Sequence, residues 1–557
     1  MVEAFPGALV GPSSKERKYD RQLRLWAASG QQALEEARVL LVNSDGPWGK
    51  QSTGVSGVVG VETLKNLVLP GIGGFTIVDP AVVTEPDLGV NFFLEEDSLG
   101  KSRAQETCRL LRELNPDVDG NFESKPVAEL LQDPEFLPQF KLVLVSGPVN
   151  RAMLSELRSA AKALGIPVLY TRSVGFYSTF SLQLPAAFPI VETHPDPEST
   201  QDLRLLNPWP ELAASLTSIS NLETMDDHQH GHVPYILLLL HYLEKWKETH
   251  DGNVPSNYKE KTAFRDLVRS GARTDNPEGG EENYDEAVAA VLKSLNPFTL
   301  RSSIREIFEM DECTKLTSTS ANFWLIASAI REFYNKHSVL PLPGSLPDMK
   351  AQSADYISLQ NIYKTKARKD TAEVIENVRR LEALHSPRPA KIADKDIETF
   401  CKNAAHIKVI HGRDLPQLDG EVHTLKAIRN ALSDPESLIS VFLGYDVLDS
   451  IITDIQTDKQ SEDALDSTLA WEAGVDRVMR SLTSEASAAV DEGTRQRIIQ
   501  ATQELRRTQG GELHNVSALT GGLVAQEALK VMTRQYVPLD NTCVFDGIRS
   551  RSEMYRL

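Results

Sequence analysis

The stretch Arg38-Val39-Leu40-Leu41-Val42-Asn43 is apolar at consecutive positions, so as a strand it has to be buried on both faces. Gly/Ser-rich sequence follows. A helix then runs through Glu62-Thr63-Leu64-Lys65-Asn66-Leu67-Val68-Leu69 and ends at Pro70-Gly71. Phe75-Thr76-Ile77-Val78-Asp79 is a second buried strand. A helix between two such strands is a crossover that sets them parallel in one sheet. The alternation continues with a helix over 101–114, a strand over 141–146, a helix over 153–164 and a strand over 166–170. This is the pattern of a doubly wound α/β sheet.

The rhythm then changes. From about 221 to about 484 the pattern is mostly helical, with clear segments over 235–246, 258–270, 284–295, 321–334 and 355–384. Residues 275–286 are acidic and Gly-rich and read as an exposed loop. There is no repeat of solenoid period. The small-residue-rich helix from Ala518 to Lys530 and the strand-like Thr542-Cys543-Val544-Phe545-Asp546 return to α/β character. The expected division is 1–175 for the first part of an α/β domain, 176–500 for a helical insertion and 501–557 for its completion.

Composition narrows the function classes. The 557 residues are 41% hydrophobic and 25% charged, enough for more than one packed domain. A net charge of -19 argues against nucleic acid or an anionic membrane as the main partner, because both need a basic surface. Cys108, Cys313, Cys401 and Cys543 form no C-x-x-C pair, which argues against a zinc site or a disulfide framework and fits a reducing compartment. Met1-Val2-Glu3-Ala4-Phe5 lacks the features of a signal peptide, and the longest apolar run, 235–240, is too short to span a bilayer. The expectation is a cytoplasmic or nuclear protein.

Three separated stretches resemble one family. Tyr19-Asp20-Arg21-Gln22-Leu23-Arg24-Leu25-Trp26 resembles the opening motif of the non-catalytic half of activating enzymes for ubiquitin and its relatives. Leu64-Lys65-Asn66-Leu67-Val68-Leu69-Pro70-Gly71-Ile72-Gly73 resembles that family's first helix and its exit, and Gly521-Gly522-Leu523-Val524-Ala525-Gln526-Glu527 its C-terminal helix. Inside the insertion, Leu346-Pro347-Asp348-Met349, the run from Tyr356 to Tyr363, His194-Pro195-Asp196, Asp202-Leu203-Arg204-Leu205 and Asp227-His228-Gln229-His230 are similar to the regulatory subunits of neddylation-activating enzymes. The resemblance implies a ThiF/MoeB-like (pseudo-Rossmann) adenylation fold, interrupted by a large, mostly helical insertion like a catalytic-cysteine domain without the cysteine. It implies a non-catalytic half of a heterodimer that adenylates a Nedd/Rub ubiquitin-like modifier. The catalytic subunit would hold ATP, Mg²⁺, zinc and the thioester cysteine, and this chain no cofactor of its own. The modifier and, transiently, the conjugating enzyme complete the implied partners.

The phosphate turn supports a silent half. Backbone N–H groups at a helix N-terminus must approach phosphate closely, which calls for dense glycines. Before Glu62 only Gly57 and Gly60 match the active pattern; Val55 and Val58 stand where active members have glycine, Gly54 is out of register, and residues 45–52 lengthen the turn. Asp79 is retained, but Ala81 takes the place of the second aspartate, Val90 that of the phosphate-gripping arginine and Arg103 that of the usual lysine. Gly147-Pro148-Val149-Asn150 stands where active members place an aspartate. Loss of the metal ligand and the phosphate arginine together removes the electrostatics on which phosphoryl chemistry depends.

Arg21 is different. The resemblance makes it a catalytic arginine that crosses to the partner's ATP site, with Arg24 as the fallback. The alternative is a structural Arg21 paired with Asp20 or a nearby carboxylate. Cys313-Thr314 echoes a thioester segment but follows Asp311-Glu312, which should raise the thiol pKa. His228, His230 and His232 with Asp226 and Asp227 lack a zinc spacing and read as capping and loop structure before Pro234, a signal for the first helical position. Phe323, Trp324, Tyr356 and Tyr363 lie at core-like helical spacing. Two rival readings remain at this point: an inactive scaffold or adaptor with no part in activation, and a self-sufficient adenylating enzyme.

Overall fold

The computed structural model describes residues 13–44, 57–274, 280–388, 390–418, 422–457, 460, 462–483 and 491–557. Residues 1–5, the lengthened turn at 45–52, Gly54, Val55 and part of the acidic loop, 275–279, lie outside the described residues. The strands are β1 (Arg38–Val42), β2 (Gly74–Val78), β3 (Asp119–Glu123), β4 (Leu142–Gly147), β5 (Val168–Val174), β6 (Tyr177–Gln183), β7 (Phe188–Val191), β8 (Ile407–Ile410), β9 (Thr542–Asp546) and β10 (Arg551–Tyr555). Eight of them form one sheet in the order β10-β9-β6-β5-β4-β1-β2-β3. β3, β2, β1, β4 and β5 run parallel, and β6, β9 and β10 add antiparallel pairs beside β5. The chain order reverses between β1 and β4, the switch point where doubly wound sheets place their ligand site.

The helices used below are α1 (Asp20–Glu35), α2 (Val58–Val68), α3 (Arg103–Leu114), α4 (Arg151–Ala163), α5 (Ile439–Gln456), α6 (Glu492–Arg507) and α7 (His514–Thr533). α2 is buried along most of its length, including Glu62 and Thr63, because α7 lies directly against it. Gly521 permits that approach: a Cβ there would sit 2.8 Å from Glu62 Cβ and 2.9 Å from Thr63 N.

Two compact units make up the chain, one from residues 1–188 with 410–557 and one from 189–409. The helical unit is therefore shorter than the 176–500 expected from periodicity. At its start, Tyr177–Gln183 alternates as an antiparallel strand and joins the sheet. At its end, α5 and α6 are helices by pattern but pack with the sheet: Phe442, Tyr445 and Leu505 share one core with Val174, Tyr177 and Val544. Buried Arg172 of β5 also pairs with buried Asp449 of α5 at 2.6 Å. Periodicity reports a helix's apolar stripe, not the surface that covers it.

Within the second unit the helices Tyr235–Thr249, Tyr258–Arg269, Glu282–Ser294, Asn322–His337 and Ser353–Leu384 match the expected segments to within a few residues. The acidic loop is shorter than expected, since Glu282 already opens a helix. Tyr363 and Trp324 are buried, as their spacing suggested. No helix among the described residues is long and apolar enough to cross a membrane.

Candidate functional site

At the switch point, β1 is followed by Asn43 and Ser44 and β2 by Asp79, and all three are buried. Asp79 is fully buried and accepts hydrogen bonds from Asn43 Nδ2 (2.9 Å), Ser44 Oγ (2.9 Å), Ala81 N (3.0 Å), Arg103 Nε (2.7 Å) and Arg103 Nη2 (3.2 Å). A carboxylate offers about four lone-pair sites, so Asp79 has no acceptor left for a ribose hydroxyl or a metal-bound water. Arg103, at the start of α3, also donates from Nη1 to Asp87 Oδ1 at 3.0 Å, and Asp87 accepts from Thr84 N and Oγ1, both at 2.8 Å. Burial works against the guanidinium's charge, but Asp79 and Asp87 outweigh it and raise the Arg103 pKa above its usual value. Arg103, which the resemblance sets in place of a lysine, is thus an internal cation clamped between two carboxylates.

The N-terminus of α2 is occupied as well. Val58 N and Val59 N donate to the two oxygens of Glu512 at 2.8 and 3.1 Å. These are the first N–H groups of the helix that follows β1, the kind that meets phosphate in an anion-binding turn. Glu512 is buried and also accepts from Ser517 Oγ at 3.1 Å. Gly57, at φ +62, is kept for contact with the protein itself: a Cβ there would lie 2.3 Å from Asn43 Oδ1. Gly60 lets α2 settle on the sheet, its missing Cβ facing Leu41 and Ser146. Sequence reasoning passed over Glu512. The available signal was negative: the first turn of α2 has no acidic residue and no side-chain cap, so its amides require an acceptor from elsewhere.

The remaining altered positions serve structure. Asn150 caps α4, accepting from Ala152 N and Met153 N at 2.8 and 3.3 Å. The Val90 carbonyl accepts from His514 Nδ1 at 2.9 Å, and Phe92 stacks on the same imidazole at 3.7 Å.

Arg21 lies on the first turn of α1 and is exposed. Asp20 pairs with Arg24 at 2.9 Å, so the structural alternative falls to Arg24. The Arg21 guanidinium makes no ion pair or hydrogen bond among the described residues.

All four cysteines are buried and unpaired. Burial pushes the thiols of Cys108, Cys313 and Cys543 up to about 11 and that of Cys401 up to about 12, the reverse of what a thioester nucleophile needs. For Cys313 the cause is burial, opposed by Arg331, rather than the acidic residues expected to act on it. The histidine cluster is structural. Asp226 caps the short helix Asp227–His230, and His228 stacks on His232 at 4.3 Å. His230 is buried between Glu281 Oε1 (2.8 Å) and the Tyr284 hydroxyl (3.1 Å). Pro234 immediately precedes its helix instead of opening it. A cavity of about 1300 Å³ in the second unit is lined by Trp209, Phe298, Arg301, His337 and His406 among others. Of these, Arg301 donates to Ala405 O, His406 pairs with Ser199 O, and His337 with Glu373.

The ThiF family profile matches residues 19–557. The chain is 36% identical over 562 residues to the NEDD8-activating enzyme E1 regulatory subunit of Xenopus laevis, covering 98% of this chain and 99% of that protein. It is 37% identical over 554 residues to the Danio rerio regulatory subunit, with 98% and 99% covered. It is 33% identical over 563 residues to the NEDD8-activating enzyme E1 regulatory subunit AXR1 of Arabidopsis thaliana, with 100% and 98% covered.

Proposed function

The chain belongs to the ThiF family, alongside the regulatory subunits of NEDD8-activating enzymes that it matches from end to end, and from that membership we propose that it is the non-catalytic half of a heterodimeric activating enzyme for a NEDD8-like modifier. Nucleotide and Mg²⁺ bind on the catalytic subunit, which also carries zinc and the thioester cysteine. That subunit passes the modifier on to a conjugating enzyme. This chain contributes the pseudo-symmetric half, Arg21 directed in trans at the partner's ATP, and a helical unit beside the partner's thioester domain. The observation that carries the reading is a contrast within one unit: the anion cradle is filled by the protein's own Glu512 and Arg103–Asp79 groups, while Arg21 is exposed and uncommitted.

The face toward the catalytic subunit is drawn from α1 and α7. Leu25 is 55% exposed on α1, and Leu519 and Leu523 are exposed one turn apart on α7. Phe92, 70% exposed, stacks on His514 at the start of α7. Large apolar side chains held in water along paired helices favour a protein partner.

The test is modifier-dependent ATP–pyrophosphate exchange with this chain alone, the catalytic subunit alone, and the two mixed. Exchange only in the mixture is the expected result. Exchange by this chain alone overturns the reading, and no gain on mixing with a competent partner favours an adaptor.

Glu512→Ala separates fold from chemistry. It strips a buried acceptor from two helix amides and is expected to cost about 1–3 kcal/mol, read as a lower melting temperature. Binding of an ATP analogue to the isolated variant stays undetectable, because Asp79 is still saturated by Arg103; measurable binding would show that Glu512 alone excludes nucleotide.

A further inference from the structure

The exposed turn that carries Arg21 is clamped at both ends and free along its outer face. At its start, Tyr19 is buried. Asn115, at the end of α3, donates from Nδ2 to the Tyr19 hydroxyl at 3.0 Å and to Val68 O at 2.9 Å. Lys18 Nζ fixes the other end of the same amide, 2.6 Å from Asn115 Oδ1. The phenol lies over the face of Gly71, at φ +85, where a Cβ would come within 2.6 Å of the hydroxyl. At the other end the helix is broken, with Trp26 at φ −123, ψ 17 and Ala27 at φ 56, ψ −177. An alanine in the left-handed region persists only where its surroundings hold it there. They do so here. Gln535 Nε2, beyond α7, donates to Trp26 O at 3.0 Å, and Trp26 Nε1 donates to Gln31 Oε1 at 3.1 Å. Gln31 in turn donates to Pro70 O at 3.1 Å. Between the clamps, Asp20, Arg21, Arg24 and Leu25 are all exposed.

We propose that Tyr19, Asn115 and Gln535 are positioning residues that fix the turn from Asp20 to Leu25, so that Arg21 is presented to the partner's nucleotide at one angle. The inference rests on the trans role of Arg21 proposed above. A guanidinium fork stabilises developing phosphate charge only when its donors already face it. An unclamped turn would leave Arg21 competent in a fraction of its conformations, and the rate would fall with that fraction.

The experiment uses the assembled heterodimer and measures kcat and KM for ATP in adenylate formation, with dimer affinity determined in parallel. The variants are Tyr19→Phe, which removes one hydroxyl, Gln535→Leu, Arg21→Ala and the double variant Tyr19→Phe/Arg21→Ala. Tyr19→Phe and Gln535→Leu are each expected to lower kcat on the order of tenfold, with dimer affinity unchanged. Tyr19→Phe adds no further loss once Arg21 is gone, because both changes remove the same interaction. Full kcat in Tyr19→Phe and Gln535→Leu beside an impaired Arg21→Ala overturns the positioning roles and leaves the trans arginine standing. An equal loss from Tyr19→Phe with and without Arg21 also overturns them, since the hydroxyl then acts on something else. Wild-type kcat in Arg21→Ala overturns the underlying reading itself.

Discussion

Arg21→Ala is expected to slow adenylation by the assembled heterodimer on the order of 10³-fold, the scale of an arginine supplied in trans to a phosphoryl site. It should leave the melting temperature of this chain and its affinity for the partner unchanged. The separation of the two effects follows from the structure. Arg21 is exposed and its guanidinium has no partner among the described residues, so truncation removes no intramolecular contact and exposed substitutions of that kind stay within about 0.5 kcal/mol. Arg21→Lys keeps the charge but loses the planar fork and should recover only part of the rate. Arg24→Ala breaks an exposed pair with Asp20 worth about 0.2–1 kcal/mol at most and serves as the control. Single-turnover formation of the adenylate is the measurement. A wild-type rate in Arg21→Ala would remove the trans arginine from the mechanism and bring Arg24 forward.

Arg103→Ala should have the largest effect on stability. The side chain is 3% exposed and bridges two fully buried carboxylates, Asp79 and Asp87. Breaking a buried ion pair from one side costs about 3–5 kcal/mol, because the remaining charge is left without compensation. Here two carboxylates lose their shared cation. A fall of roughly 10 °C in melting temperature follows for a unit of this size. Thermal unfolding of the variant beside the parent protein measures the deficit, and an unchanged melting temperature would mean that the two carboxylates do not depend on Arg103 for their burial.

Both residues were visible in the sequence, but to different depths. Arg21 stood out within a motif, while its freedom depended on which of two neighbouring arginines took Asp20, and i,i+4 helical spacing gave Asp20 to Arg24. Arg103 was read only as a replacement for a lysine; its partner Asp87 lies in a short helical turn whose pairing no local pattern announces. Asp79 stands out in the sequence as an acidic residue at the end of a buried strand, but only the fold shows that five donors saturate it. β3 went unseen because Asp119-Gly120-Asn121-Phe122-Glu123 is a polar edge strand with no apolar run.

Local pattern determined the elements. Consecutive apolar residues in β1, β2 and β4 require coverage on both faces, and the long amphipathic helices of the second unit follow from a period of 3.6, because side-chain direction is set by backbone geometry within a few residues. Tertiary structure alone decided what each element meets. Glu512 reaches the amides of Val58 and Val59 from the far end of the chain, and Gln535 reaches Trp26 from beyond α7. α5 packs against the sheet and not within the helical unit because Tyr445 and Phe442 fit the core around Val174 and Val544. Such pairings arise when buried donors, acceptors and apolar faces must all be satisfied at once, a condition that holds only for the folded chain as a whole.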